Sequence, residues 1–147
     1  MADDVKAGEH SSPLRYVGLA YRAGKLAVGV EAVNEAVFLK RARLICTASD
    51  ASERVVEGAE RMPERCNGLY AAIPFTRTAL GKALGLTECG IVAFLDPGLA
   101  WGFGKRLDEI DTGRYGALFA ELTSRRDRAV RRRGKKHGES GKRRTKQ

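Results

Sequence analysis

The sequence has almost nothing with which to build a metal or thiol centre. Its two histidines, His10 and His137, sit near the two ends, and its three cysteines, Cys46, Cys66 and Cys89, are widely spaced with no C-x-x-C pair. Zinc binding and His-assisted nucleophilic catalysis therefore lack their ligands and bases. An odd, scattered cysteine set also argues against a disulfide framework and for a reducing compartment, so a cytoplasmic protein is expected. No apolar run approaches the roughly 20 residues that cross a bilayer. The opening MADDVKAGEHSSP is polar and acidic, unlike a signal peptide.

Nucleotide loops are also missing. GLAYRAGK and GLAWGFGK both end in Gly-Lys, but five residues separate their outer glycines where a P-loop has four. Leu26 and Arg106 stand where the magnesium-binding hydroxyl belongs. No G-x-G-x-x-G follows a strand, so a dinucleotide fold has no fingerprint either. No cofactor, metal or small-molecule substrate is expected.

What the chain does have is an uneven charge. The formal net charge is +9 over 147 residues, yet residues 125–147 hold 12 of the 27 Lys and Arg and only 2 of the 18 acids, Asp127 and Glu139. Residues 1–124 are close to neutral. The segment RRDRAVRRRGKKHGESGKRRTKQ has little apolar material to offset the entropy of ordering, so 125–147 reads as a disordered basic tail that attracts polyanions.

The remainder alternates helices and strands. After a flexible segment over 1–12, Leu14, Val17 and Tyr21 share one face of a first helix that Gly24 stops. KLAVG is a short strand, and Val30, Val33 and Val37 mark a second helix. ARLICTAS is a buried strand by its apolar run. Asp50, three residues before Glu53, looks like the cap of a third helix. GLYAAI is a strand, Thr76 and Gly85 bound a fourth helix, CGIVAFLD is a strand, and Asp96-Pro97 opens a last helix to about Leu107, with Gly102 and Gly104 weakening its regularity. RYGALFAELTSRR adds a helical extension over 109–124. Asp50, Glu88 and Asp96 lie near strand ends, where active sites of α/β sheets gather, but capping accounts for Asp50 and Asp96 without any chemistry. Strands separated by helices predict an α/β domain with helices on both faces of a largely buried sheet.

The order of Gly24-Lys25, Gly29, Ala42-Arg43-Leu44, Ala48, Asp50 and Leu80-Gly81 over residues 13–108 resembles the ribosomal-protein family that binds kink-turn RNA, of the L-seven-Ae and L-thirty-e type, in its bacterial form. The resemblance implies a three-layer α/β/α sandwich around a mixed four-stranded sheet. It also implies an RNA site where the turn before the second helix meets the loop before the last strand. The matching residues are Gly24, Lys25, Gly29, Val30, Glu31, Ala32 and Glu35 on one side, and Leu86, Thr87 and Glu88 on the other. The sequence departs from the family pattern after Gly29, where Val30-Glu31-Ala32 replaces Thr-Asn-Glu, and at Glu35, where a lysine is usual. Asn34-Glu35 is out of register with that motif.

The expectation is thus a monomeric, non-enzymatic protein that binds structured, kink-turn-like RNA, with ribosomal RNA a candidate. Lys25 and Arg43 would neutralise phosphate, Leu86 would touch a displaced base, and the tail would add sequence-independent attraction. The rival reading is a protein-interaction module that has kept the fold and meets RNA only through the tail.

Overall fold

The computed structural model describes residues 12–146, with side chains through Gly134. In chain order the elements are α1 (Pro13–Arg22), β1 (Leu26–Val28), α2 (Val30–Phe38), β2 (Leu44–Thr47), α3 (Glu53–Cys66), β3 (Leu69–Ala72), α4 (Arg77–Leu84), β4 (Ile91–Phe94), α5 (Pro97–Ile110) and α6 (Thr112–Lys146). The strands lie in the order β1-β4-β2-β3. β4 pairs antiparallel with both β1 and β2, while β2 and β3 are parallel, so the sheet is mixed.

The two most apolar runs of the sequence take the two central places. Every residue of β2 and β4 is buried, as expected of strands covered on both faces. Alternation along each strand divides the core. Leu44, Cys46, Val92 and Phe94 face a layer holding Val17 of α1, Leu80 of α4, Phe103 of α5 and Leu122 of α6. Ile45, Ile91 and Ala93 face Val33 and Val37 of α2 and Met62 of α3. Each fully buried large side chain contributes about 1.5–3 kcal/mol of transfer free energy. The fold is a three-layer α/β/α sandwich around a mixed four-stranded sheet.

Several local expectations meet a tertiary correction. Thr76 and Asp96 cap α4 and α5 through the N–H groups of Ala79 and Leu99, and Gly85 ends α4 in the left-handed region. Asp50, however, does not cap the third helix. Ser52 does so, accepting from the N–H of Val55. The Asp50 carboxylate accepts instead from the N–H of Arg77, at 2.7 Å, and so serves the first turn of α4. That N–H is one of the helix's orphan donors.

α5 runs without a break to Ile110, so a domain boundary at 108 falls inside it. Gly102 and Gly104 do not interrupt it; each lies where a Cβ would collide with a neighbour, Tyr16 of α1 or Leu122 of α6, so their small size serves packing. The extension expected over 109–124 begins at Thr112.

The segment expected to be disordered from residue 125 instead continues α6, which runs to Lys146. Its beginning has partners that sequence reading could not see. Arg125 donates to the carbonyl of Asn67 and to Glu121, and the guanidinium of Arg126 lies 4.0 Å from the Trp101 ring centroid. Upstream, Tyr115 donates to the carbonyl of Ala72 at 2.9 Å, so α6 runs along the edge strand β3 from its last residue back to its start. The flexible segment expected over 1–12 lies outside the described residues, apart from Ser12, which caps α1 through the N–H of Leu14.

Candidate nucleic-acid interface

Gly29 joins β1 to α2 with φ 88° and ψ 163°, a region open essentially to glycine alone. Its N–H donates to the carbonyl of Ile91 at 3.0 Å, and its own carbonyl accepts from Val33 at 3.0 Å, which ties the turn to β4 and starts the helix. No side chain caps α2. The N–H groups of its first turn, Val30, Glu31 and Ala32, are left for an outside acceptor.

The facing wall is the loop Leu86-Thr87-Glu88. It sits close because Gly81 has no side chain; a Cβ there would lie 2.5 Å from the Glu88 Cα. The N–H of Leu86 donates to the Gly81 carbonyl at 2.8 Å, and Cys89 donates to the Arg77 carbonyl at 3.0 Å, fixing both ends of the loop against α4. Between the walls lies an open groove of about 460 Å³. Gly29, Val30, Leu86 and Glu88 line it as expected, with Val30 46% and Leu86 43% exposed. Glu31, next to Val30, and Thr87, between Leu86 and Glu88, are exposed and adjoin lining residues in the chain; Glu35 is exposed further along α2, and Ala32 is half-buried.

Ser52, Val55 and Arg77 also line the groove and were missed by sequence reading. Ser52 carried one signal, its place just before a charged helix start. Arg77 carried none, since its role depends on residues 27 before it and 11 after it. Its Nε is 3.6 Å from Asp50 and its Nη1 is 3.7 Å from Glu88. The backbone N–H of Arg77, and then its guanidinium, hold the Asp50 carboxyl below its ordinary value. Asp50 and Glu88 thus share one guanidinium, and α2 adds two exposed carboxylates, Glu31 and Glu35. Cys89, at the groove floor, donates its thiol to the Ile91 carbonyl at 3.3 Å, and burial pushes that thiol up.

Gly24, Lys25 and Arg43 are not part of this groove. The carbonyl of Lys25 accepts from Leu95, and the N–H of Arg43 donates to Phe94, so both residues flank the end of β4 opposite to Ile91. The three residues of β1 separate Lys25 from Gly29, four steps of extended chain or on the order of 13 Å. Motifs adjacent in sequence thus lie at opposite ends of the sheet.

No family model matches the sequence. Over 88 residues the chain is 32% identical to the RNA-binding protein YlxQ of Bacillus subtilis (strain 168), a match that takes in 57% of this chain and 83% of that protein. The chain belongs to the L-seven-Ae-like family, with YlxQ. A solved structure of a protein of unknown function from Bacillus halodurans C is 26% identical, with a TM-score of 0.61 over 67% of this chain and 98% of that one. The Giardia lamblia 15.5kD RNA binding protein is 18% identical with a TM-score of 0.51 over 67% of this chain and 84% of that one, a likeness of fold. Within the L-seven-Ae-like fold of this chain, Gly29 and Gly81 are the two glycines whose geometry shapes the groove. Among the described residues, no group of three or more His, Cys, Asp or Glu could hold a metal ion, and no helix is long and apolar enough to cross a membrane.

Proposed function

We propose that this protein binds structured RNA without catalysing a reaction, and that the groove between the start of α2 and the Leu86–Glu88 loop receives a bent, kink-turn-like backbone. The observation that carries this reading is the uncapped first turn of α2 behind Gly29, facing the half-exposed Leu86 across an open groove. N–H groups at a helix start suit a phosphate or a base edge, and an exposed leucine suits a displaced base. The curated relative is named an RNA-binding protein. Ribosomal RNA is a candidate partner, and the protein acts in the cytoplasm as a monomer.

The acidic flank favours a second reading, a protein-interaction surface on the same fold, with RNA met elsewhere. Glu35 separates the two. It is exposed on α2, and Glu35→Lys changes the local charge by two units. If phosphate passes this face, the substitution tightens binding to a kinked RNA by about fivefold at low salt, from a surface charge effect of up to about 1 kcal/mol. The gain on a straight duplex is smaller. Titration of both proteins against the two RNAs decides: equal affinities for the kinked RNA, together with no preference of the wild type for it, would favour the protein-interaction reading.

A further inference from the structure

The end of the sheet opposite the groove carries a second charged feature. A pocket of about 90 Å³ is lined by Arg43, Arg125, Arg128 and Arg132, together with Asn67 and the first turn of α5. The arrangement follows from α6. Tyr115, Leu118, Leu122, Arg125, Ala129 and Arg132 recur at spacings of three and four and therefore lie along one side of the helix. The first three pack into the core. As the helix passes the start of β3, the same side turns to arginine, and it does so where Arg43 enters β2.

Guanidinium groups drawn together repel one another unless anions balance them. Glu121 partly balances Arg125 at 2.9 Å and Arg128 at 3.5 Å, and the Arg125 pair holds the Glu121 carboxyl below its ordinary value. Among the described residues, Arg43 and Arg132 have no carboxylate within 4.0 Å. Asp96, the nearest acid in sequence to this part of α5, is engaged by the N–H of Leu99 and does not line the pocket. Planar guanidiniums converging from two elements on a phosphate-sized space suit a phosphodiester, because they offer several forked donors to its oxygens.

We infer that this pocket is a backbone-positioning site for RNA, separate from the groove at Gly29, in which Arg43 and Arg132 engage a phosphate while Glu121 holds Arg125 and Arg128 in place. The inference rests on the RNA-binding reading and is independent of kink-turn recognition. Phosphate contacts fix register and add affinity to any RNA, without reading its bend or sequence.

The test uses the full chain and compares wild type with Arg43→Ala/Arg132→Ala, with Arg43→Lys/Arg132→Lys, and with a charge-matched control, Arg54→Ala/Arg61→Ala, which removes two exposed cations from α3. Each is titrated against a straight RNA duplex and a kinked RNA over a range of salt, with thermal melting to confirm folding. The alanine pair is expected to weaken both RNAs alike, by about tenfold, and to lower the slope of log affinity against log salt by about one unit, for the one phosphate the two arginines share. The lysine pair keeps the slope and recovers part of the affinity, since a point charge replaces a fork. The control loses less than about threefold. Equal losses in the alanine pair and the control would show a diffuse field with no site, and would overturn the inference, as would an unchanged affinity in the alanine pair. A wild type with no preference for kinked RNA, whose affinity still falls in the alanine pair, would sink the groove at Gly29 and keep this pocket; the reverse pattern would sink the pocket alone.

Discussion

Replacing Gly81 with alanine should destabilise the protein, although alanine is the better helix former. In α4 the gain from propensity is about 0.5–1 kcal/mol. Against it stands the loop: the new Cβ would lie 2.5 Å from the Cα of Glu88 and 2.7 Å from its N, where ordinary carbon contacts need about 3.5–4.0 Å. Both atoms are backbone, so no rotamer change relieves the clash, and the loop must retreat by about 1 Å. Overpacking of this kind costs about 1–3 kcal/mol, which leaves a net loss on the order of 1–2 kcal/mol. The melting temperature should fall by about 2–8 °C for a chain of this size.

Gly58, in α3, is the internal control, since a Cβ there meets nothing within 4 Å. Gly58→Ala should stabilise by about 0.5–1 kcal/mol. Urea unfolding measures both, with an unchanged m-value as the check that only stability has moved. Because Gly81 sets the distance between the Leu86–Glu88 loop and α4, Gly81→Ala should also reduce any preference for kinked RNA, and Gly58→Ala should leave it alone. Stabilisation of equal size in the two variants would refute the close-approach argument.

Asp50→Ala should lower the melting temperature by removing the acceptor for Arg77 N–H, and Asp50→Asn should recover part of the loss, because its amide oxygen still accepts. The Asp50 carboxyl is held below its ordinary value in the fold, so the advantage of Asp over Asn is full above the unfolded carboxylate range near pH 4 and fades as pH falls through the folded value. A gap between the two melting curves that persists unchanged at lower pH would count against this assignment. Cys46 is wholly buried, and burial raises its thiol pKa. It should resist thiol reagents until the chain is unfolded, with Cys46→Val tolerated at less than about 1.5 kcal/mol and Cys46→Ser costing about 1–3 kcal/mol through an unpaired hydroxyl. Labelling of Cys46 in the native protein at the unfolded rate would contradict this.

The features legible from sequence are those made by short-range forces. Thr76, Asp96 and Gly85 act within one helical turn of themselves, so their types and places suffice to mark helix ends. The apolar runs at Leu44–Thr47 and Ile91–Phe94 announce strands buried on both faces, and alternating elements announce the layered class. The Gly29 turn and the Leu86–Glu88 loop are also visible as motifs, through their resemblance to a family.

Only the tertiary structure decides which of these meet. β1 and β2 both pair antiparallel with β4, which brings Arg43, before β2, to the same end of the sheet as Lys25, before β1, and no local pattern records that pairing. Asp50 is a cap whose helix begins 27 residues later, and Gly81 is small because a loop from outside its own helix approaches it. The arginines of α6 looked like a disordered polyelectrolyte because composition cannot show that the helix bearing them is already anchored by Tyr115 and Leu122. In each case the partner is distant in sequence, and the contact exists only once the core has closed.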